Sequence, residues 1–239
     1  MKIVVVGNGK MGQMIRRLCG ERPDADVVAL VGPGDTPSVE AAPRADVMMD
    51  FSYPGNLRPM LEKAIRENTP LVIGTTGLGE EGDALIREAA GKIPIVYASN
   101  YSTGVTVLAR LTRLASQALG EEFDIEIVET HHRMKEDAPS GTAKTLAQCA
   151  NTGRGVPYVY GREGRPGKRG NEIGVHALRG GTVAGEHRVI FYGNMEEIEL
   201  RHRADSREIF ARGALRAAEF AVGARPGLYS MEDVLFPEG

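Results

Sequence analysis

The sequence predicts an α/β fold in two parts, a parallel-sheet domain followed by an α+β domain. Short β-branched runs alternate with helical stretches over the first hundred residues, which is the pattern of a parallel sheet covered on both faces. A glycine-rich motif follows the first of these runs. After Tyr101 the alternation gives way to a group of neighbouring strands flanked by helices. We therefore expect the boundary near residues 102–104.

Elements of the first part are located by apolar runs and by amphipathic spacing. The strand candidates are short and continuously apolar, as expected for strands buried on both faces. We expect strands at Lys2–Val6, Val27–Val31, Val47–Phe51, Leu71–Ile73 and Ile93–Ala98. The intervening helices are expected at Met11–Glu21, Leu57–Asn68 and Glu80–Ala90.

The second part has a different pattern. Phe123–Glu129 alternates apolar and acidic residues, as a strand with one solvent-facing side does. Three further strands with short connections, antiparallel in part, are expected at Ile173–Leu178, His187–Tyr192 and Glu197–Arg203. Helices are expected at Val105–Leu119, Ser140–Ala150 and Arg207–Ala221, with a long loop at Asn151–Gly170 and a tail at Leu228–Leu235.

Composition narrows the class of protein. The formal net charge of −3 argues against a general nucleic-acid binder, which is usually basic. The two cysteines, Cys19 and Cys149, give neither a disulfide framework nor metal-ligand spacing. No apolar run approaches transmembrane length. We expect a cytoplasmic enzyme with no metal and no membrane or nucleic-acid partner.

A G-x-G-x-x-G motif follows the first strand and opens the first helix. Gly7 allows a tight turn, Gly9 lets a pyrophosphate approach the backbone, and Gly12 lets the helix pack on the strand. This context favours dinucleotide binding over an ordinary glycine-rich turn. The candidate cofactor residues here are Gly7, Asn8, Gly9, Lys10, Met11 and Gly12.

The choice between NADH and NADPH is not fixed by the usual residue. The end of the second strand reads Val31-Gly32-Pro33-Gly34, with neither an acid for a ribose diol nor an arginine for a 2′-phosphate. Asp35 is near but lies in a loop expected to be flexible. Lys10 could reach a phosphate.

Two further loops follow strands of the parallel sheet. The loops after strand carboxyl ends line the ligand crevice of such a sheet, and small hydroxyl residues there suit the planar amide of nicotinamide. The same residue types also favour ordinary turns, so the residues alone leave both interpretations open. The candidate residues are Gly74, Thr75, Thr76, Ala98, Ser99, Asn100 and Tyr101.

The stretch from Glu129 to Ala143 concentrates cations beside a helix start. Ser140 can cap the helix, and the N–H groups of Gly141 and Thr142 can then hold an anion, so Ser140, Gly141 and Thr142 are candidate substrate-binding residues together with His132. The positive charges of His132, Arg133 and Lys135 suggest an anionic substrate, and their number makes a dicarboxylate a candidate. His131 and Lys135 are the natural proton donors.

The same residues allow other interpretations. The cluster could be a solvated loop with surface histidines, although its position beside a helix start argues against that. Adjacent histidines lack the i, i+4 spacing of a zinc site, and no G-x-S-x-G elbow is present. The remaining histidines lie on predicted strands and are expected to be structural: His176, His187 and His202.

With these motifs in place, the chain resembles the 4-hydroxy-tetrahydrodipicolinate reductase family over essentially its whole length. The run from His131 to Ala143, His-His-x-x-Lys-x-Asp-Ala-Pro-Ser-Gly-Thr-Ala, is the most specific part of the resemblance. The other matching motifs, in the family's order, are the glycine loop, Asp50-Phe-Ser52, Val72-Ile-Gly-Thr-Thr-Gly77, Ser99-Asn-Tyr-Ser102 and Gly185-Glu-His187.

This resemblance implies a reduction by NADH or NADPH in the diaminopimelate and lysine pathway. A hydride would reach C4 of a cyclic imino dicarboxylate as its hydroxyl leaves as water. By similarity His131 is the general acid/base, Lys135 donates a proton, His132 binds substrate, and Gly141 with Thr142 holds a carboxylate. Residues 1–102 and 207–239 would form the dinucleotide-binding domain. Residues 103–206 would bind substrate and build a homotetramer.

The chain departs from the family pattern at two places, both bearing on the cofactor. The glycine loop is one residue shorter than in many members, and Gly32-Pro33 replaces the acidic or basic pair after the second strand. Two alternatives stay open at this point. One is another two-domain reductase acting on a small carboxylate, and the other is a nucleotide sensor without turnover.

Overall fold

The computed structural model describes residues 1–237. The chain forms two compact units, one made of Met1–Thr103 with the chain from Glu208 onward, and the other of Gly104–Arg207. Each unit is built on its own sheet. The last two residues of the predicted range 207–239 lie outside the described residues.

The first unit contains a six-stranded sheet in the order β11-β5-β4-β3-β1-β2, with every neighbouring pair parallel. Because β1 lies between β2 and β3, the winding reverses beside β1, and ligands of such sheets bind at that reversal. This confirms the predicted doubly wound parallel sheet. The strands are β1 (Lys2–Val6), β2 (Asp26–Val31), β3 (Val47–Asp50), β4 (Leu71–Ile73), β5 (Pro94–Tyr97) and β11 (Gly227–Tyr229).

Helices cover both faces of this sheet, which explains the continuous apolar strands. One core packs side chains such as Ile3 and Val5 against α1 and α6, and the other packs Val4 and Val6 against α2 and α3. The helices are α1 (Lys10–Gly20), α2 (Leu57–Glu67), α3 (Gly79–Ala90), α6 (Glu208–Gly223) and α7 (Met231–Leu235).

The second unit contains a mixed five-stranded sheet in the order β10-β9-β6-β8-β7. The central β6 is antiparallel to β9 and parallel to β8, and β9 and β10 form an antiparallel pair. The inner face packs on α5. The elements are α4 (Thr103–Leu119), β6 (Asp124–His131), α5 (Gly141–Ala150), β7 (Tyr158–Tyr160), β8 (Ile173–Arg179), β9 (Gly185–Tyr192) and β10 (Glu197–Ala204).

Two predicted irregular segments contain regular structure. The loop expected at Asn151–Gly170 includes β7, and the tail at Leu228–Leu235 includes part of β11 and all of α7. Tyr158–Tyr160 and Gly227–Tyr229 lack the aliphatic run that marks Leu71–Ile73, so pairing with a neighbouring strand decides them. In addition, β6 runs two residues beyond its predicted end and reaches His131. No helix within residues 1–237 is long and apolar enough to cross a membrane.

Candidate active site

Glu129 and His131 lie on the inner face of β6, where they interact directly. Glu129 is fully buried, and its Oε2 lies 2.6 Å from His131 Nδ1. Arg179, at the end of the parallel neighbour β8, donates two hydrogen bonds of 2.9 Å to the same carboxylate. The Ser140 N–H donates a third contact, of 3.0 Å, to Glu129 Oε1. One buried carboxylate therefore holds an imidazole, a guanidinium and a helix start.

The charge state of Glu129 follows from two opposing effects. Burial alone raises the pKa of a carboxyl group because it disfavours the charged form. Hydrogen bonds from Arg179, His131 and the Ser140 N–H outweigh burial here, so the pKa of Glu129 is lowered from its ordinary value. The carboxylate is therefore ionised at neutral pH and acts only as an acceptor.

His187 belongs to the same cluster, although the sequence suggested only a structural role. In the β6–β9 register it stands opposite Glu129, and it is 4% exposed. Its ring meets the His131 ring edge-on with centroids 5.2 Å apart, and its Nε2 lies 3.1 Å from Ser140 Oγ. Burial lowers the pKa of His187 to about 4, with a further contribution from His131. His187 is thus uncharged at neutral pH.

Lys135 lies in the turn that follows β6. Its N–H donates to the His132 carbonyl oxygen at 3.1 Å, and its Nζ is 2.7 Å from Asp137 Oδ1. This ion pair lowers the pKa of Asp137. Arg179 Nη2 donates to the Asp137 carbonyl oxygen at 2.7 Å. The same guanidinium therefore contacts both the Glu129 carboxylate and the loop that carries Lys135.

The other two basic residues of the segment are differently placed. His132 Nε2 lies 3.5 Å from Arg207 Nη2, so its imidazole faces a guanidinium. Arg133 has an exposed side chain, and its N–H donates to the Gly181 carbonyl oxygen at 3.3 Å. The hydrogen bond from Gly180 N–H to the His131 carbonyl oxygen, 2.9 Å long, fixes the loop on its other side.

Ser140 caps α5, as the sequence predicts, but its polar atoms are engaged within the protein. Its Oγ accepts the Ala143 N–H at 3.2 Å and contacts His187, and the residue is 2% exposed. By contrast Gly141 is exposed, and a Cβ built on it would have no other atom within 4 Å. The first N–H groups of a helix carry partial positive charge and suit a carboxylate. Gly141 is therefore the exposed residue of this candidate anion site, and Thr142 beside it is half-buried.

In the first unit, the glycine loop has the geometry that the motif requires. Gly7 has φ of +120°, and its N–H donates to the Val31 carbonyl oxygen at 2.7 Å. A Cβ on Gly12 would lie 1.9 Å from the Gly7 carbonyl oxygen, whereas a Cβ on Gly9 would meet nothing within 4 Å. Gly12 thus serves close packing, and Gly9 leaves room for a phosphate at the α1 N-terminus. Lys10 and Met11 begin α1, and the side-chain oxygen of Asn8 accepts from Gln13.

A cavity of about 470 Å³ lies at the end of β2. It brings Arg16 of α1 together with Asp35 and Asn8. Thr36 Oγ1 accepts the Gly32 N–H at 3.0 Å, so the loop expected to be flexible is closed on itself. Arg16 was missed because a helical arginine two turns beyond a glycine loop carries no local signal.

The loops after β3, β4 and β5 are joined along one sheet edge. Ser52 N–H donates to Thr75 Oγ1 at 2.9 Å, and a Cβ on Gly74 would lie 2.2 Å from the Phe51 ring. Tyr101 is 2% exposed, and its hydroxyl reaches the carbonyl oxygens of Ile73 and Val96 at 2.8 and 3.0 Å.

These contacts divide the predicted nicotinamide residues into two groups. Gly74, Thr75 and the Tyr101 ring are scaffold, so a cofactor contact by Tyr101 would have to use its backbone. Thr76 and Ser99 are exposed, and Ala98 is half-buried. Asn100 accepts the Ser102 N–H at 2.8 Å through its side-chain oxygen. Within residues 1–237 no three His, Cys, Asp or Glu side chains are grouped to hold a metal ion, and the lack of a resident metal stays a prediction.

The doubly wound sheet and its glycine loop define a dehydrogenase-type Rossmann domain, which places the protein among the oxidoreductases that use a nicotinamide cofactor. Two family models then match consecutive parts of the chain. The N-terminal model of dihydrodipicolinate reductase matches residues 1–101, and the C-terminal model matches residues 104–235. The chain belongs to the dihydrodipicolinate reductase family.

Relatives over the full length agree with this assignment. The 4-hydroxy-tetrahydrodipicolinate reductase of Rubrobacter xylanophilus is 48% identical, with 98% of each chain covered. The enzyme of that name from Caldanaerobacter subterraneus is 46% identical over the same shares. Among solved structures, the dipicolinate-bound dihydrodipicolinate reductase of Paenisporosarcina sp. TG-14 has a TM-score of 0.80 at 23% identity, with 98% of both chains covered. That similarity concerns the fold.

Proposed function

We propose that this chain reduces 4-hydroxy-tetrahydrodipicolinate to tetrahydrodipicolinate with loss of water, in the diaminopimelate and lysine pathway. Its full-length relatives carry this enzyme name. The observation that carries the proposal is the cluster of Glu129, His131, Lys135 and the α5 start. It combines proton donors with an anion site in one unit.

The residues divide the work according to their chemistry. When bound, the nicotinamide cofactor supplies the hydride. Departure of the substrate hydroxyl as water consumes a proton, which His131 or Lys135 provides. Gly141 and Thr142 hold one carboxylate at the helix start, and His132 binds the substrate. Lys135 also neutralises the charge of the substrate. To do so, its ammonium group must leave Asp137 and pair with a substrate carboxylate.

Either nicotinamide nucleotide is accepted under this proposal. The room above Gly9 and the helix dipole of α1 favour a pyrophosphate there. The cavity beyond β2 offers Arg16 for a 2′-phosphate and Asp35 for a ribose hydroxyl. Opposite charges in one cavity support dual use better than strict selection.

We also propose a homotetramer formed through the outer face of the second sheet. This face carries Leu178 and Tyr192, which are 52% and 41% exposed, among paired charges such as Arg188 with Glu199. Exposed apolar surface rimmed by polar residues marks interaction sites, and tyrosine and arginine are enriched in interfaces. The cytoplasmic location of the protein also stays a prediction.

The direct test follows oxidation of NADPH and of NADH while the preceding synthase generates the substrate in situ. We expect turnover with both nucleotides, and turnover with only one would contradict dual use. Folded protein that oxidises neither would refute the proposal. Pyridine-2,6-dicarboxylate should also raise the melting temperature more than pyridine-2-carboxylate does, because the site is expected to hold two carboxylates.

Lys135→Met gives a sharper prediction about the proton donor. Loss of a positioned acid should lower kcat by about 100-fold or more, while the Kd for NADPH stays unchanged. Lys144→Met is the matched control, because Lys144 is an exposed lysine on α5. Equal losses of kcat and nucleotide affinity in Lys135→Met would contradict the role given to Lys135.

A further inference from the structure

Glu129 is surrounded by donors on every side, with no role assigned to it by sequence motifs. Its Oε2 receives Arg179 Nη1 at 2.9 Å and lies 2.6 Å from His131 Nδ1. Its Oε1 receives Arg179 Nη2 at 2.9 Å and the Ser140 N–H at 3.0 Å. A fully buried carboxylate is tolerated when its oxygens are satisfied and its charge is paired, and here both conditions hold.

The short contact to Nδ1 determines how the imidazole can be used. An ionised carboxylate only accepts hydrogen bonds, so Nδ1 must carry a proton whenever this contact is made. In a neutral imidazole the other nitrogen, Nε2, is then unprotonated and free to act as a base. We propose that Glu129, paired with Arg179, fixes the proton of neutral His131 on Nδ1 and makes Nε2 the nitrogen that exchanges a proton with substrate.

The surroundings of Nε2 agree with this assignment. A Cβ on Gly185, the first residue of β9, would lie 3.1 Å from His131 Nε2, so a side chain there would crowd the reacting nitrogen. His187 meets His131 edge-on and binds Ser140 instead of Glu129. Of the two histidines, only His131 therefore contacts the Glu129 carboxylate through a ring nitrogen.

Arg179 extends the same arrangement to the second proton donor. Its Nη2 contacts both Glu129 Oε1 and the Asp137 carbonyl oxygen, and Asp137 pairs with Lys135. A bidentate guanidinium is rigid enough to set the position of both groups. Glu129 and Arg179 are thus positioning residues, acting through His131 and Lys135.

Nuclear magnetic resonance of the nitrogen-15-labelled histidines tests the assignment without any substrate. In the wild type at alkaline pH, we expect the His131 signal, identified by its loss in His131→Asn, to report a proton on Nδ1. In Glu129→Gln we expect a shift toward the Nε2-protonated form. The kcat should fall about 10- to 100-fold, with an unchanged KM for the nucleotide.

Glu126→Gln is a matched control on the same strand. Glu126 pairs with His176 Nε2 at 2.8 Å and with Arg162 and Arg169, so it forms a second glutamate–histidine–arginine cluster on the opposite face. This variant should change the His176 signal while leaving the His131 tautomer and kcat as in the wild type.

Removing one partner of a buried pair can unfold a protein, because the other charge is left uncompensated. The double variant Glu129→Gln/Arg179→Gln removes both charges, and it should show the same change of His131 tautomer. A wild-type His131 protonated on Nε2 would overturn the proposal. So would folded variants that keep both the Nδ1 proton and the wild-type kcat.

The inferred role in catalysis rests on the proposed function, but the two can fail separately. If the wild type shows no turnover while the tautomer depends on Glu129, the proposed reaction is wrong and the positioning is right. If turnover is normal and the tautomer does not depend on Glu129, the positioning is wrong and the reaction stands.

Discussion

The protonation state of His187 is set by its surroundings. It lies 4% exposed beside His131, and burial lowers its pKa to about 4. At neutral pH it is therefore an uncharged neighbour that does not compete with His131 for Glu129. For an acid the same effect has the opposite sign. In the first unit, burial raises the pKa of Asp50, whose carboxyl group accepts a hydrogen bond from the Ser52 hydroxyl.

The depressed pKa of His187 predicts a pH dependence of stability. An unfolded histidine binds a proton near its ordinary value of 6.5, whereas His187 in the folded protein does so only near 4. Its contribution to the free energy of unfolding is complete above about pH 6.5 and is lost as the pH falls toward 4, by about 1 to 3 kcal/mol. The free energy of unfolding, measured with denaturant between pH 4 and about 6.5, should fall less steeply with falling pH in His187→Gln than in the wild type. The same pH dependence in the wild type and in His187→Gln would contradict this role of His187.

Arg16 predicts a cofactor effect that a single substitution can isolate. It lines the cavity at the end of β2, and its charge suits a 2′-phosphate. Arg16→Gln should weaken NADPH binding about 10-fold, or about 1.4 kcal/mol, and leave NADH binding nearly unchanged, as measured by calorimetry. Arg17→Gln is the control, because Arg17 pairs with Glu21 and Glu208. Equal weakening of both nucleotides would refute the role of Arg16.

At the scale of elements, α1 shows how one glycine lets a helix and a strand share a binding loop. A Cβ at position 12 would meet the Gly7 carbonyl oxygen, which is backbone and cannot move aside cheaply. The same helix ends in Gly20, where a Cβ meets nothing within 4 Å. A substitution at Gly12 therefore tests close packing, whereas a substitution at Gly20 tests only the conformational freedom of the backbone.

Gly12→Ala should destabilise the protein by about 1 to 3 kcal/mol, the range for overpacked sites, and weaken nucleotide binding. Gly20→Ala should be neutral or stabilising, by up to about 1 kcal/mol, because alanine restricts the unfolded chain. Chemical denaturation and nucleotide titration would check both. Similar behaviour of the two variants would show that close packing at Gly12 is unimportant.

Strands of the first sheet were predictable where the sequence is a continuous apolar run. The apolar runs of β1 and β4 matched the structure residue for residue, because strands buried on both faces must be continuously apolar. β7 (Tyr-Val-Tyr) and β11 (Gly-Leu-Tyr) were missed because, unlike β4 (Leu-Val-Ile), neither is a run of aliphatic residues, so only pairing with a neighbouring strand selects them. The extension of β6 to His131 was also missed, since its last residues are polar.

The whole molecule consists of two units whose sheets meet different demands. The first sheet is covered by helices on both faces, whereas the outer face of the second carries ion pairs such as Arg201 with Glu186. Leu178 and Tyr192 lie among these charges with much of their surface exposed. This face is where we propose that copies of the chain meet.

The tetramer proposal predicts a particle of four chain masses by light scattering during size-exclusion chromatography. Leu178→Arg should shift the particle to a smaller mass, because it places a charge in the proposed interface. Leu111→Arg is the control, since Leu111 is an exposed leucine on α4. A monomeric wild type would refute the tetramer, and an unaffected tetramer in Leu178→Arg would refute this face.

Features that depend on neighbours along the chain can be read from the amino-acid sequence alone. The glycine loop, the Ser140 cap and the alternation of the first domain are of this kind, because turn conformations, helix starts and strand burial are set within a few residues. The family resemblance rested on the same local motifs.

Which distant side chains meet these local motifs depends on the three-dimensional fold. Strand register brought Arg179 and His187 to Glu129 across some fifty residues, and helix packing brought Arg16 to the end of β2. No local spacing encodes such contacts, because register follows from the burial of whole strands. The proton donors could therefore be named from the sequence, whereas the residues that orient them could be found only in the fold.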